Sequence, residues 1–411
     1  VLGNFPWVTN SRQGCIEGVN LPSKTNFQKH HGLEAITGKS NFDISEWMLI
    51  QVAHWLQNRD ADLAMLCKTS VARKLLNYLY ANQLNLCDCA TYSIDAKKYF
   101  GASVEACLLV CQFGSSAKNY FCNVFSSLDS PLSHRIGYCN NILVKDIDSF
   151  KELNYLYDTN PTTQWRSGIK HDCSNVMELR RHHDKYINGF GEVVDIEDTY
   201  IYPLIKGSDV AQNRLNTEKY TIVTQKNVGE STEHIKDIAP KTWAYLEHYA
   251  SYLDNRKSKI YQNNPRFSIF GVGTYTFASW KIAICGLYKK LEFRLVGKIG
   301  NKPVVFDDTV YFLSFDEEKA ACETFELLNS KQVIAFYSSQ IFWDDKRPIK
   351  SNILNSLNMR RLLENEKSPP APLNKQAQLR LAQQLKPKLR NNNSILKLFG
   401  ARNRGRTRSA S

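Results

Sequence analysis

Apolar and polar positions fall into three regimes along the chain. In the first, helix-spaced and strand-like apolar stretches alternate. Residues 1–3 read as the end of a buried strand that turns at Gly3 and Asn4, and a polar loop broken by Pro22 follows to about Asp43. Trp47, Leu49, Ile50, Ala53, Trp55 and Leu56 then recur at helical spacing, which predicts a helix over 44–56 capped by Asp43 or Ser45. Short apolar runs predict strands at 63–67, 89–94, 104–113 and 120–125, with a Leu-rich helix over 70–81. The order strand, helix, strand, helix, strand, strand is that of the second half of a twisted α/β sheet, whose first half is not in the sequence.

The second regime, 151–350, has more turns and aromatics. Short β segments are expected at 201–204, 220–225, 267–277, 304–306 and 310–315, interrupted by one helix over 242–253. Beyond about 356 the chain is rich in Pro, Asn, Gln and Arg, which predicts disorder with some helix at 373–386. Three segments follow: 1–150, 151–355 and 356–411.

Composition confirms a globular body, with 43% hydrophobic and 11% aromatic residues among 411. Of the net charge of +13, eleven positive charges lie from Lys367 onward with no acidic residue among them, which leaves about +2 for the first 366 residues. A globally basic surface is therefore excluded: the body needs local basic patches to hold a polyanion, while the tail adds a sequence-independent attraction or is simply a solvated extension. No apolar run approaches the ~18–20 residues of a membrane span, and no signal-peptide pattern opens the chain. A soluble, cytoplasmic, monomeric protein is expected. The eleven cysteines form no CxxC pair, and apolar settings such as Ala106-Cys107-Leu108 suggest buried thiols in a reducing compartment. His182-His183-Asp184 reads as a solvated loop and not as a metal site, so no metal is expected.

The motifs carry the chemistry. Asn4-Phe5-Pro6-Trp7 at a strand end resembles the Asn/Asp-Pro-Pro-aromatic motif of adenine-directed amino-methyltransferases, with Phe5 where proline is usual. Ser40-Asn41-Phe42-Asp43-Ile44, Leu63–Ser70 and Tyr99-Phe100-Gly101-Ala102-Ser103-Val104 are similar to the catalytic-domain motifs that follow it. Trp165–Asp172, Arg266–Phe277 and Ile341–Pro348 resemble blocks of the target-recognition domain of the same enzymes. Together they resemble a gamma-class N6-adenine DNA methyltransferase of restriction–modification systems, over about residues 1–355.

The resemblance implies an incomplete Rossmann-like methyltransferase sheet followed by a mixed, β-rich target-recognition domain. It implies duplex DNA as partner, S-adenosyl-L-methionine as methyl donor, and a cognate restriction endonuclease or fused nuclease segment. Asn4 and the carbonyl of Phe5 would accept hydrogen bonds from N6 of a flipped adenine and Trp7 would stack on the base, with Pro6 as the remaining residue of the catalytic motif. Loss of the proline restraint at position 5 leaves retained activity open.

The glycine-rich donor loop should precede Asn4, so the chain alone is not expected to bind the donor. Gly271-Val272-Gly273 lacks a following helix and acid and reads as a turn. Lys68, Arg73, Arg166, Lys170, Lys281, Arg347 and Lys350 are the candidate DNA contacts. The start of the 70–81 helix either holds a phosphate or is simply capped. The competing functions are a non-catalytic DNA-binding relic and a protein that binds RNA or membranes through its basic tail.

Overall fold

The computed structural model describes residues 1–8, 43–115, 118–160 and 164–367. Ser40, Asn41 and Phe42, Cys15, and the 373–386 helix with nearly all of the basic tail lie outside the described residues. Residues Val1–Met359 form one compact unit. The unit beginning at Arg360 is described only through the remainder of the helix Met359–Lys367.

The first region is a mixed seven-stranded sheet in the order β1-β2-β4-β3-β5-β6-β7. Its strands are β1 (Leu2–Asn4), β2 (Ala61–Lys68), β3 (Leu86–Ile94), β4 (Ala106–Phe113), β5 (Phe121–Phe125), β6 (Leu132–Cys139) and β7 (Ile142–Val144). The expectation of strands and helices alternating here holds, and β6 and β7 extend the sheet beyond it. β1 runs parallel to β2 with Leu2 opposite Ala64 and Asn4 opposite Leu66. β4 lies antiparallel between β2 and β3, and β3 pairs parallel with β5.

Helix α1 (Ile44–Leu56) starts where expected, because the Asp43 carboxylate caps it by accepting from the Ser45 amide and hydroxyl. It buries Leu49, Ile50, Val52, Ala53 and Leu56, whereas Trp55 falls off that stripe and is 69% exposed, contrary to the helical-face reading. Helix α2 (Thr69–Ala81) packs Val71, Ala72, Leu75, Leu76 and Leu79 into the same core as Leu63, Met65 and Cys67 of β2. Burying one such side chain contributes about 1.5–3 kcal/mol, so this layer supports the strand ends above it.

The second region holds two sheets. One runs β11-β10-β9-β13-β12-β16, from β9 (Glu178–His182), β10 (Lys185–Ile187), β11 (Val193–Val194), β12 (Ile201–Ile205), β13 (Lys219–Ile222) and β16 (Val305–Phe306). The other runs β15-β14-β17-β8, from β8 (Arg166–Ser167), β14 (Trp280–Cys285), β15 (Arg294–Val296) and β17 (Val310–Phe315). The whole is a mixed α/β fold with no barrel.

Two expectations fail here. Residues 267–277 form no strand. Phe267 and Ile269 are buried, but their backbone is satisfied by side chains: Thr224 donates to the Phe267 carbonyl at 2.8 Å, and the Ile269 amide donates to Gln225 Oε1 at 2.9 Å. Gly271, at φ +70°, comes so close to Gly168 that a Cβ on it would lie 2.3 Å from the Gly168 carbonyl oxygen. The single helix over 242–253 is instead two, Pro240–His248 and Ala250–Asp254, broken at Tyr249.

No helix among the described residues is long and apolar enough to cross a membrane. The ten described cysteines are all free thiols.

Candidate active site

Alternation along β1 and the turn after it sorts the four motif residues. Asn4 and Pro6 are exposed, while Phe5 packs on the core formed by α1, α2 and the sheet. Phe5 therefore provides an apolar anchor for the turn. Trp7 is half-buried, with its ring 6.0 Å from that of Phe100 in an edge-to-face arrangement. Its indole Nε1 is buried without a hydrogen-bond partner among the described residues. Asn4, Phe5, Pro6, Trp7, Phe100 and Ala102 line an open cleft of about 280 Å³.

Phe100 ends the short helix α3 (Ala96–Phe100), which Asp95 caps through the Lys98 amide, and Gly101 closes it in the left-handed conformation at φ +64°. The ring is 52% exposed. The sequence reading gives Phe100 no role of its own, although an aromatic held out of the core at a helix end is a recognisable sign.

Ala102 also lines a second, larger and more polar cleft of about 720 Å³ along the same sheet edge. Lys68 ends β2, Ile94 ends β3 with Asp95 just after it, and Ser126 follows β5, so this cleft opens at the carboxyl ends of three strands. Ser70 places the first turn of α2 on its wall, and Lys68, the residue before α2, provides no side-chain cap. Lys68 forms an ion pair with the buried Asp43 at 2.6 Å, which fixes the β2 tip to the start of α1. Asp344 contributes a carboxylate from far along the chain.

The remaining basic candidates separate by environment. Arg73 is buried, paired with both Asp344 and Asp345, and stacked 4.7 Å over the Phe342 ring. It holds the Phe342–Asp345 segment against α2, a different job from contacting a phosphate. Lys281 is 1% exposed on β14, with its ammonium donating to the Ala278 carbonyl at 2.8 Å. Burial lowers its pKa to about 7, and its ammonium lies in the protein interior. Arg347 is half-buried, bonded to the Asp308 carbonyl and lying over Tyr311. Arg166 is exposed over the Tyr275 ring. Lys170 pairs with Asp172 at 3.4 Å, and exposed Lys350 pairs with Asp345 at 2.6 Å. Arg73, Asp345 and Lys350 thus form one network, whereas Arg166 and Lys170 sit on the β8 side of the second region.

Groups of three or more His, Cys, Asp or Glu arranged to hold a metal are absent among the described residues. Gly271-Val272-Gly273 leads into a single 3-10 turn at Thr274–Phe277, so it does not form a phosphate-cradling loop.

The mixed α/β sheet carries a polar strand tip beside an aromatic-lined cleft, and the chain belongs to the Type II methyltransferases. It is 62% identical over 360 residues to the Type II methyltransferase M.NspV of Nostoc sp. (strain ATCC 29411 / PCC 7524), covering 87% of this chain and 75% of that protein. Among solved structures, the Type IIL restriction-modification enzyme MmeI, determined in complex with DNA, shares the fold at a TM-score of 0.50 and 15% identity. That match covers 97% of this chain and 50% of MmeI, so the chain spans half the length of that enzyme. No protein-family profile matches the chain.

Proposed function

We propose that this chain is the acceptor-holding and target-recognising part of a gamma-class adenine-N6 DNA methyltransferase. In this reading residues 1–150 hold the adenine and 151–355 read the duplex. The observation that carries it is the single cleft in which the exposed Asn4 side chain meets the rings of Trp7 and Phe100.

An adenine inside a duplex cannot present its amine to a protein group, so it must be turned out of the stack at a cost of a few kcal/mol. Stacking on Trp7 and Phe100 offsets that cost, at about 1–3 kcal/mol per base–aromatic contact. Asn4 Oδ1 and the Phe5 carbonyl then accept the two N6 hydrogens. Two acceptors draw the nitrogen from planar toward tetrahedral and direct its lone pair out of the ring system, which is the geometry a methyl acceptor needs. Asn4 also distinguishes the amine from a carbonyl oxygen, which would present no hydrogen to it.

S-Adenosyl-L-methionine supplies an electrophilic methyl group in this class of reaction. Neither GxG sequence among the described residues makes a donor loop: Gly189-Phe190-Gly191 lies in the turn between β10 and β11, and Gly271-Val272-Gly273 leads to a 3-10 turn. The chemistry assigned here is that of the acceptor side alone. Duplex DNA is the partner in this reading, and the tie from Arg73 to the 342–350 segment keeps the recognition region in register with the sheet edge.

The test is nucleoside mass spectrometry of mixed-sequence DNA after incubation with the methyl donor and the chain fused to a donor-binding segment. N6-Methyladenine is expected. Methylcytosine as the product refutes the adenine assignment, and sequence-specific DNA binding with no methylation favours the non-catalytic relic.

A further inference from the structure

The β9–β10 hairpin has a surface unlike the rest of the second region. Within six residues it carries Arg180, Arg181, His182, His183 and Lys185, all exposed, against Asp184 as the one acid. Many basic side chains elsewhere in this region are matched by carboxylates: Lys206 by Glu178, Arg214 and Lys219 by Asp209, Lys241 by Asp195, Arg266 by Asp254, Arg294 by Glu292 and Lys302 by Asp198. Arg180 and Lys185 form no ion pair among the described residues, and Arg181 is held by the Tyr220 hydroxyl and the His183 carbonyl without a carboxylate. The hairpin is thus a site of positive potential that the protein itself leaves uncompensated.

Its geometry is equally specific. Lys185 is opposite His182 and Ile187 is opposite Arg180, so Arg180, His182 and Lys185 share one face of the hairpin and Arg181 lies on the other. Tyr186 and Tyr220 pack edge to face at 5.3 Å behind Arg181 and stiffen the base of the hairpin. β9 also pairs with β13 through Glu178–Arg180 and β10 with β11 through Tyr186–Ile187, so residues 181–185 lie at the turn end beyond those ladders, where their cations can meet backbone phosphates.

Building on the reading of the chain as a DNA methyltransferase, we infer that the β9–β10 hairpin is a duplex-DNA-binding arm that contacts backbone phosphates through Arg180, Arg181 and Lys185. It joins the strand-end cleft as a second contact with the same duplex and supplies positional affinity that the near-neutral body otherwise lacks.

The experiment measures affinity for a linear duplex of mixed sequence against salt concentration, using the full chain and a variant carrying Arg180→Gln, Arg181→Gln and Lys185→Gln. The plot of log affinity against log salt is expected to lose about 2–3 units of slope, and affinity near 0.1 M salt to fall at least about tenfold. The charge-conserving variant Arg180→Lys, Arg181→Lys, Lys185→Arg is expected to keep the wild-type slope. An unchanged slope in the glutamine variant, with an unchanged circular dichroism spectrum, overturns the arm and leaves the methyltransferase reading standing. Equal loss in both variants overturns it too, because it points to damaged hairpin structure. Failure of the wild-type chain to bind duplex DNA overturns both.

Discussion

Replacing Lys281 with methionine separates internal charge from DNA-facing charge. The side chain is 1% exposed, has one hydrogen bond, and has its pKa lowered to about 7 by burial. A lysine in the unfolded chain titrates near 10.5, and one pKa unit corresponds to 1.36 kcal/mol, so the difference amounts to about 5 kcal/mol. Between pH 7 and 10.5 the unfolded chain holds a proton that the folded chain does not, so stability rises with pH across that window. Below pH 7 both states are protonated and the full penalty for burying the charge is present.

Methionine has a similar length and no charge. Lys281→Met is therefore expected to stabilise the protein at about pH 6 by up to ~5 kcal/mol, less the ~1 kcal/mol of the lost bond to Ala278. The gain should fade as pH approaches 10. Urea denaturation followed by tryptophan fluorescence at a series of pH values reads both the size and the slope. Affinity for duplex DNA should stay unchanged. A variant with wild-type stability at about pH 6, or one whose salt dependence of DNA binding drops by a full charge, refutes the assignment of Lys281 to the interior.

Arg73→Met should lower stability by about 2–4 kcal/mol, because Asp344 loses its partner and Asp345 keeps only Lys350; comparing denaturant midpoints of Arg73→Met and Asp344→Asn/Asp345→Asn/Arg73→Met checks this, since the triple variant should recover part of the loss. Phe100→Ala should weaken the holding of an everted adenine by about 1–3 kcal/mol, read as a smaller fluorescence rise from 2-aminopurine at the target position, while the fold stays intact because the ring is largely exposed.

What the sequence revealed depended on whether the cause was local. Helix α1 was legible to its ends because Asp43 caps it and its apolar spacing is regular. β2, β4 and β17 were legible as apolar runs of strand length. The 267–277 segment had the same aromatic alternation, yet Thr224, Gln225 and Arg256 side chains took over the backbone bonding that a ladder would supply. The β9–β10 hairpin was missed because Arg-Arg-His-His-Asp-Lys carries no alternation, its strands being set by pairing with β13. At the candidate site, Asn4-Phe5-Pro6-Trp7 was visible as a contiguous motif. The inward anchoring of Phe5 and the approach of Phe100 were not, since both depend on contacts across the sheet edge. Arg73 looked like a basic turn because its carboxylates lie 271 and 272 residues away.

The proposed function requires the Asn4 amide oxygen to grip an extruded adenine. The direct measurement is single-turnover methyl transfer to adenine by the chain fused to a donor-binding segment, with Asn4 intact and as Asn4→Ala, alongside DNA affinity for both. The rate is predicted to fall by about 10²–10³ with affinity within a few-fold of wild type. An Asn4→Ala enzyme that methylates adenine at close to the wild-type rate contradicts it.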